Sequence, residues 1–125
     1  MKCKQFISFG ILAAFLTLHV TVLANNWYVE GVNGNDANHC QAPQAACKTI
    51  GHAISLASSG DSIMVAPATY KENLTININL NVIGSGASTT IIDGGGGGTV
   101  VKIYNATAQV TLSKLTIRHG FAWSS

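Results

Sequence analysis

Residues Leu74 to Val82 read L-T-I-N-I-N-L-N-V, with an aliphatic side chain at every odd position and Thr or Asn at every even one. Strict period 2 over nine residues excludes a helix there. It dictates extended chain with one face buried and the other wet. The same period governs Ile63 and Val65, Val101 and Ile103, and Val110 and Leu112. It slips by one residue across Ser113-Lys114 before Leu115 and Ile117 resume it. A slip exchanges the two faces of a strand, so it marks a bend between two strands. The nine-residue run itself spans a corner, where the chain changes direction without losing phase. Between these runs stand corners of Gly, Asn and Ser, residues that accept turn conformations.

One segment has a different period. In Lys48–Ser59, residues Ile50, Ala53, Ile54 and Ala57 fall at i, i+3, i+4 and i+7, the apolar stripe of a short helix. Gly51 weakens that helix by about 1 kcal/mol relative to Ala. Ser58-Ser59-Gly60 ends it, with Gly60 as the residue after the cap. Ahead of it, Asn25–Val32 reads as a first strand with Trp27 and Val29 on one side. Gly31–Asn38 is a loop rich in Gly, Asn and Asp. Glu30 and Asp36 offer oxygens to a calcium ion in that loop, but no calcium-loop spacing is present and turn chemistry is the simpler reading.

The N-terminus is not part of this pattern. Lys2 and Lys4 precede an apolar run from Phe6 to Val22, and Val22-Leu23-Ala24 places small residues at −3 and −1 of a cleavage point. Residues 1–24 read as a secretory signal peptide. Polar residues interrupt the run, against a membrane anchor, and no stable membrane span remains after cleavage. Of seven basic residues, five stay in residues 25–125, facing five acidic ones. That balance leaves no basic stripe for nucleic acid. Two cysteines remain after cleavage, Cys40 and Cys47, and in an exported chain such a pair forms one disulfide.

Does the strand region repeat? Thr-Ile recurs at 75–76, 90–91 and 116–117, and Leu80/Val82 matches Val101/Ile103. The separations scatter around the unit length of strand-based solenoids. A sandwich or irregular barrel is the alternative, but no Asn-Gly hairpin signal lies between the alternating runs.

The order of features resembles the N-terminal part of right-handed parallel β-helix proteins of the pectin-lyase-like superfamily. The resemblance rests on Cys47-Lys48-Thr49-Ile50 and Ala53-Ile54, then Gly60-Asp61-Ser62-Ile63 and Val65-Ala66-Pro67. It continues through Thr69-Tyr70-Lys71-Glu72, Leu80 to Gly84, Ile91 to Gly94, and Leu115-Thr116-Ile117-Arg118-His119-Gly120. It implies an all-β fold, residues 25–125 forming the N-terminal part of a parallel β-helix domain. The helix at 48–59 would plug the first coil. Ala68 departs from the glycine usual in the turn before Thr-Tyr, and would be strained if that turn required positive φ. No second lid follows the last strand beyond Phe121 and Trp123, so the expectation is a truncated product or a piece of a longer β-helix.

Asp61, Glu72 and Asp93 are the carboxylates of the repeat region, and no spacing pairs them for acid–base work on a glycosidic bond. Asp61 and Asp93 adjoin glycines and read as turn residues, and Lys71-Glu72 as a solvated corner. Arg118-His119 offers a base for polysaccharide β-elimination, although the resemblance puts lyase machinery on later coils. His39, Cys40, Cys47 and His52 have the composition of a zinc site but not its spacing. Gly94–Gly98 lacks the Lys and the helix of a phosphate cradle and reads as a flexible external loop. Asn73 and Asn105 begin N-x-T glycosylation patterns. Asn77, Asn79 and Asn81 line the polar face of the opening stretch, and the alternation turns most of them toward solvent.

The expectation is therefore no catalytic, cofactor or metal residue in this chain, and one disulfide, Cys40–Cys47. The chain reads as an exported structural or binding module. It would be secreted or held at the cell surface, the outer membrane included, with a polysaccharide or cell-surface glycan as partner. The competing expectation is the N-terminal piece of a polysaccharide lyase or glycoside hydrolase.

Overall fold

The computed structural model describes residues 23–122. The segment read as a signal peptide lies outside them except for Leu23 and Ala24, as does Trp123. The described residues are strand-rich and contain one α-helix. Strand β1 (Asn26–Val29) comes first, then a 3-10 turn (Pro43–Ala45) and helix α1 (Ile50–Leu56). Four strands follow, β2 (Asp61–Val65), β3 (Ala68–Lys71), β4 (Leu74–Ile76) and β5 (Leu80–Ile83). The last four are β6 (Thr90–Asp93), β7 (Val101–Ile103), β8 (Val110–Ser113) and β9 (Thr116–Arg118).

These strands make three sheets, ordered β1-β2-β5-β8, β3-β6-β9 and β4-β7. Every pairing between named strands is parallel. From β2 onward the chain visits the sheets in rotation, so each strand pairs with the third one after it. Parallel neighbours require a crossover, and here two strands in the other sheets provide it.

The run Leu74–Val82 is divided between two sheets. Leu74–Ile76 lies in β4, Leu80–Ile83 in β5, and Asn77-Ile78-Asn79 forms the corner. Phase is kept through it: Leu74, Ile76, Leu80 and Val82 are buried, and Ile78 packs against the core between them. The slip at Ser113-Lys114 is also a bend, with β8 and β9 in different sheets and Lys114 at φ 57°. The core stacks in register. Trp27 lies opposite Ile63, Ile63 opposite Val82, and Val82 opposite Leu112. In the second sheet Tyr70, Ile92 and Ile117 form the equivalent row.

Several sequence expectations are corrected. Lys71, expected in a solvated corner, is the last residue of strand β3, and Ala68 at the start of that strand is not among the positive-φ residues. The helix is shorter than Lys48–Ser59 and ends in an extended Ala57 at φ −74°. Gly60, at φ 98°, instead shapes the turn closed by the Asp61 N–H donating to the Ser58 carbonyl. Leu80/Val82 does not match Val101/Ile103: it pairs with Asp61/Ile63 and Val110/Leu112, while Val101/Ile103 lies beside Leu74/Ile76. The Thr-Ile pairs at 90–91 and 116–117 are out of register by one residue, since Ile91 faces Thr116. The pair at 75–76 is in another sheet.

Helix α1 packs on β1, β2 and β4 and sends Ile50 and Ala53 into the core. Thr49 caps its start, accepting from the His52 N–H, and Glu72 accepts from the N–H groups of Ile50 and Gly51, both at 2.9 Å. A Cβ on residue 51 would lie 3.1 Å from the Glu72 carboxylate, a tight approach at the start of the helix. The free edge of β1 is covered by the loop closed by the Cys40–Cys47 disulfide. Tyr28 donates to the Cys40 carbonyl, Cys47 to that of Tyr28, and Glu30 to that of Cys47. At the other end β7, β8 and β9 close their sheets, and Ile103, Ile117 and Phe121 are 42–49% exposed.

Candidate functional site

The fate of the carboxylates limits the chemistry most. All five acidic residues are among the described residues, and each accepts a hydrogen bond from at least one backbone N–H, four of them from two. Glu30 accepts from the N–H groups of Val32 and Asn33. Asp36 accepts from those of Lys48 and Thr49 and from the Thr49 hydroxyl, so it serves the loop as a turn anchor. Glu72 holds the start of α1, which corrects its reading as a solvated corner.

Asp61 is not a surface turn residue. It occupies an inward position of β2, is 2% exposed, and accepts from the N–H groups of Asn25 and Ser58 and from the Trp27 indole at 2.8–2.9 Å. Burial alone would raise its pKa, but the bonds from Trp27, Asn25 and Ser58 together bring it below the ordinary carboxylate value. Asp36 is lowered similarly, Thr49 and Lys48 outweighing desolvation. Tyr70 shows what burial does when bonding does not compensate, its phenol being pushed up to about 12.

Asp93 is the centre of a small polar cluster. At the end of β6, it accepts from Gly95 N–H, from Arg118 Nε at 2.9 Å, and contacts His119 Nδ1 at 2.9 Å. The Gly95 amide and the Arg118 guanidinium hold its pKa down to about 2. This corrects its reading as a simple turn residue. It also brings Asp93 together with Arg118 and His119, candidates that nothing in their spacing had linked. Register places Lys71, Asp93 and Arg118 in one outward row across β3, β6 and β9. The glycine loop is tied to the same place. Gly96 donates to the His119 carbonyl, Phe121 donates to that of Gly98, and Gly95, Gly96 and Gly98 take positive φ. No second carboxylate approaches this cluster among the described hydrogen bonds and ion pairs.

The second feature is the outer face of the four-stranded sheet. Its outward positions form two rows. One is polar, Asn26, Ser62, Asn81 and Thr111; the other runs Tyr28, Met64, Ile83 and Ser113. A groove of about 210 Å³ runs along Tyr28, Met64 and Ile83 of the second row, bounded by Pro43, Ala46 and Ser85. An aromatic ring beside apolar side chains, next to a row of hydroxyls and amides, suits a ligand with alternating apolar and hydroxyl faces. Sequence periodicity sets Tyr28 on the side of its strand opposite Trp27 and Val29, but the neighbours that make a surface of it come from other turns of the chain.

The remaining candidates separate. Cys40 and Cys47 are disulfide-bonded, and His52 joins them, with ligand atoms within 4.8 Å of one another. His39 is not in that group; it accepts from the Gln41 N–H at its ring. Asn73 donates its amide to the Thr99 carbonyl, and Asn105 donates its amide to the Asn77 carbonyl while its side-chain oxygen closes a local turn with Thr107. Asn77 and Asn79 are exposed, and Asn79 accepts from the Gln109 N–H at 2.8 Å. No helix among the described residues is long and apolar enough to cross a membrane.

A model of the family described as "Protein of unknown function (DUF1565)", one associated with parallel β-helix proteins, matches residues 32–121. No curated protein and no solved structure matches the chain.

Proposed function

The chain belongs to this family, and we propose that it is an exported structural and binding module built on the N-terminal coils of a right-handed parallel β-helix of the pectin-lyase-like kind. Supporting the architecture are the rotation of the chain through three parallel sheets and the helix seated on the first turn. Right-handedness is supported by the rule that parallel crossovers take that hand in about 98% of cases. The disulfide suits an oxidising location, outside the cell or on its surface, the outer membrane included.

The observation that carries the reading of a module without its own active site is the commitment of all five carboxylates to backbone amides. A glycosidase needs two free carboxyl groups facing one bond. The partner is a polysaccharide or cell-surface glycan, laid along the outer face of the four-stranded sheet with Tyr28 as stacking platform and Asn81 and Ser62 as hydrogen-bonding groups. Affinity electrophoresis against neutral and acidic polysaccharides tests this. At least one should retard the chain, and Tyr28→Ala should abolish the retardation while leaving the fold intact. Absence of retardation by every glycan refutes the binding role.

A second reading, the N-terminal part of a carbohydrate-active enzyme, draws on one observation: Asp93 orients His119, whose side chain is 62% exposed. An aspartate-held imidazole can serve as a general base. A rise in ultraviolet absorbance when the chain is mixed with acidic polysaccharide, lost in His119→Ala, would favour that reading over the first.

A further inference from the structure

We propose that Cys40, Cys47 and His52, once the Cys40–Cys47 disulfide is reduced, form a site of two thiolates and one imidazole for a zinc-class divalent cation. The spacing of these residues along the chain does not announce such a site. The fold assembles it, bringing both sulfurs and an imidazole nitrogen within 4.8 Å of one another. Zinc bonds of about 2.3 Å to sulfur and 2.0 Å to nitrogen separate tetrahedral ligand atoms by roughly 3.5–4 Å, so small side-chain adjustments suffice.

The ligands are held by more than the bond between the sulfurs. Cys40 donates its N–H to the Ala45 carbonyl and its own carbonyl accepts from Tyr28. Cys47 is bonded through both its N–H and its carbonyl, to the Tyr28 carbonyl in β1 and to the N–H of Glu30 just after it. His52 stands in the first turn of α1, its N–H capped by Thr49. Cutting the disulfide therefore leaves the three side chains facing one another. Both cysteines are fully buried, and two buried thiolates around a divalent cation carry no net charge, which removes the main cost of placing ions there.

The chemistry balances. A dithiol reductant gives two electrons and two protons to the disulfide and becomes its own cyclic disulfide, leaving two thiols on the protein. The cation then binds both sulfurs as thiolates and releases two protons. The loop over β1 is thus closed by a covalent bond under oxidising conditions and by a metal under reducing ones.

The test uses the full chain with Cys3→Ser, so that Cys40 and Cys47 are its remaining cysteines. The protein is reduced with a dithiol, desalted without oxygen and titrated with Co²⁺ as a spectroscopic substitute for zinc. Expected are thiolate-to-cobalt charge-transfer bands saturating at one ion per chain, removed by added zinc and absent from the oxidised protein. His52→Ala should weaken Co²⁺ binding at least about tenfold. Near-ultraviolet circular dichroism of the reduced, metal-loaded chain should keep the Trp27 signal of the oxidised form. Absence of the bands after reduction overturns the proposal. So does a His52→Ala titration identical to that of the parent, which would mean that two thiols alone, in a folded or an unfolded chain, account for binding.

Discussion

Replacing Asp61 by Ala isolates how much of the first turn depends on one buried carboxylate. The substitution strands three donors: the Trp27 indole, 2.8 Å from Oδ2, and the N–H groups of Ser58 and Asn25 at 2.8 and 2.9 Å. Trp27 is itself buried, so water does not freely replace the lost acceptor. A stranded buried donor costs about 1–3 kcal/mol. Because the two backbone donors sit closer to solvent, the total expected is about 3–4 kcal/mol. With a urea m-value of about 1.5 kcal/mol per molar, within the range for small proteins, the unfolding midpoint falls by about 2 M at unchanged slope. Asp61→Asn, which keeps shape and one acceptor, should cost about half as much. Adding Trp27→Phe to Asp61→Ala should recover about 1 kcal/mol, since the indole donor is then gone. The pH dependence has a definite sign. A carboxylate whose pKa is depressed by folding stabilises the native state above its unfolded value of about 3.9 and loses that contribution as pH falls through the lower native value. The parent should therefore show an acid loss that Asp61→Asn lacks. A midpoint shift below about 0.3 M for Asp61→Ala would refute the reasoning, because the three bonds would then be replaceable by water.

Two further outcomes follow from close contacts. Gly84→Ala places a Cβ 2.1 Å from the Lys114 carbonyl oxygen, forcing β5 and the bend after β8 apart; thermal unfolding should register a loss of more than about 2 kcal/mol. Asp93→Ala frees Gly95 and the two side chains of Arg118 and His119, so amide exchange should speed up at Gly95 and Gly96. In the parent, this protection should persist down to about pH 2, where Asp93 takes up its proton and the clamp is lost.

What the chain's own residues reveal divides along the range of the interactions. Alternation at Leu74–Val82 was legible because each side chain's burial depends on its immediate neighbours. So was the single helix, from the stripe Ile50, Ala53, Ile54 and Ala57. The alignment of one turn with the next was not. Asp61 holds an inward position that Leu80 and Val110 fill in the neighbouring strands, and a carboxylate among aliphatics hides the match. Thr-Ile attracted attention as a repeated pair, yet register sets Ile91 against Thr116. Asp61 and Asp93 looked like turn residues because glycines adjoin them, while the Trp27, Arg118 and His119 groups that engage them lie 25–34 positions away. Burial of a polar group is settled by such distant partners, and composition around the residue carries no trace of them.

The corner at Asn77-Ile78-Asn79 bears on how a chain like this tolerates changes in length. Inward and outward positions are counted straight through it, so inserting a single residue there would turn Leu80 and Val82 to the surface and bring Asn81 inside. Two inserted residues would restore the count. The glycine loop at 94–98 and the bend at Lys114 behave differently, because positive φ at Gly95, Gly96, Gly98 and Lys114 already breaks the count there before β7 and β9 begin. Length variation between members of the family should therefore collect at these resetting bends, while the 77–79 corner varies in identity but keeps its number of residues.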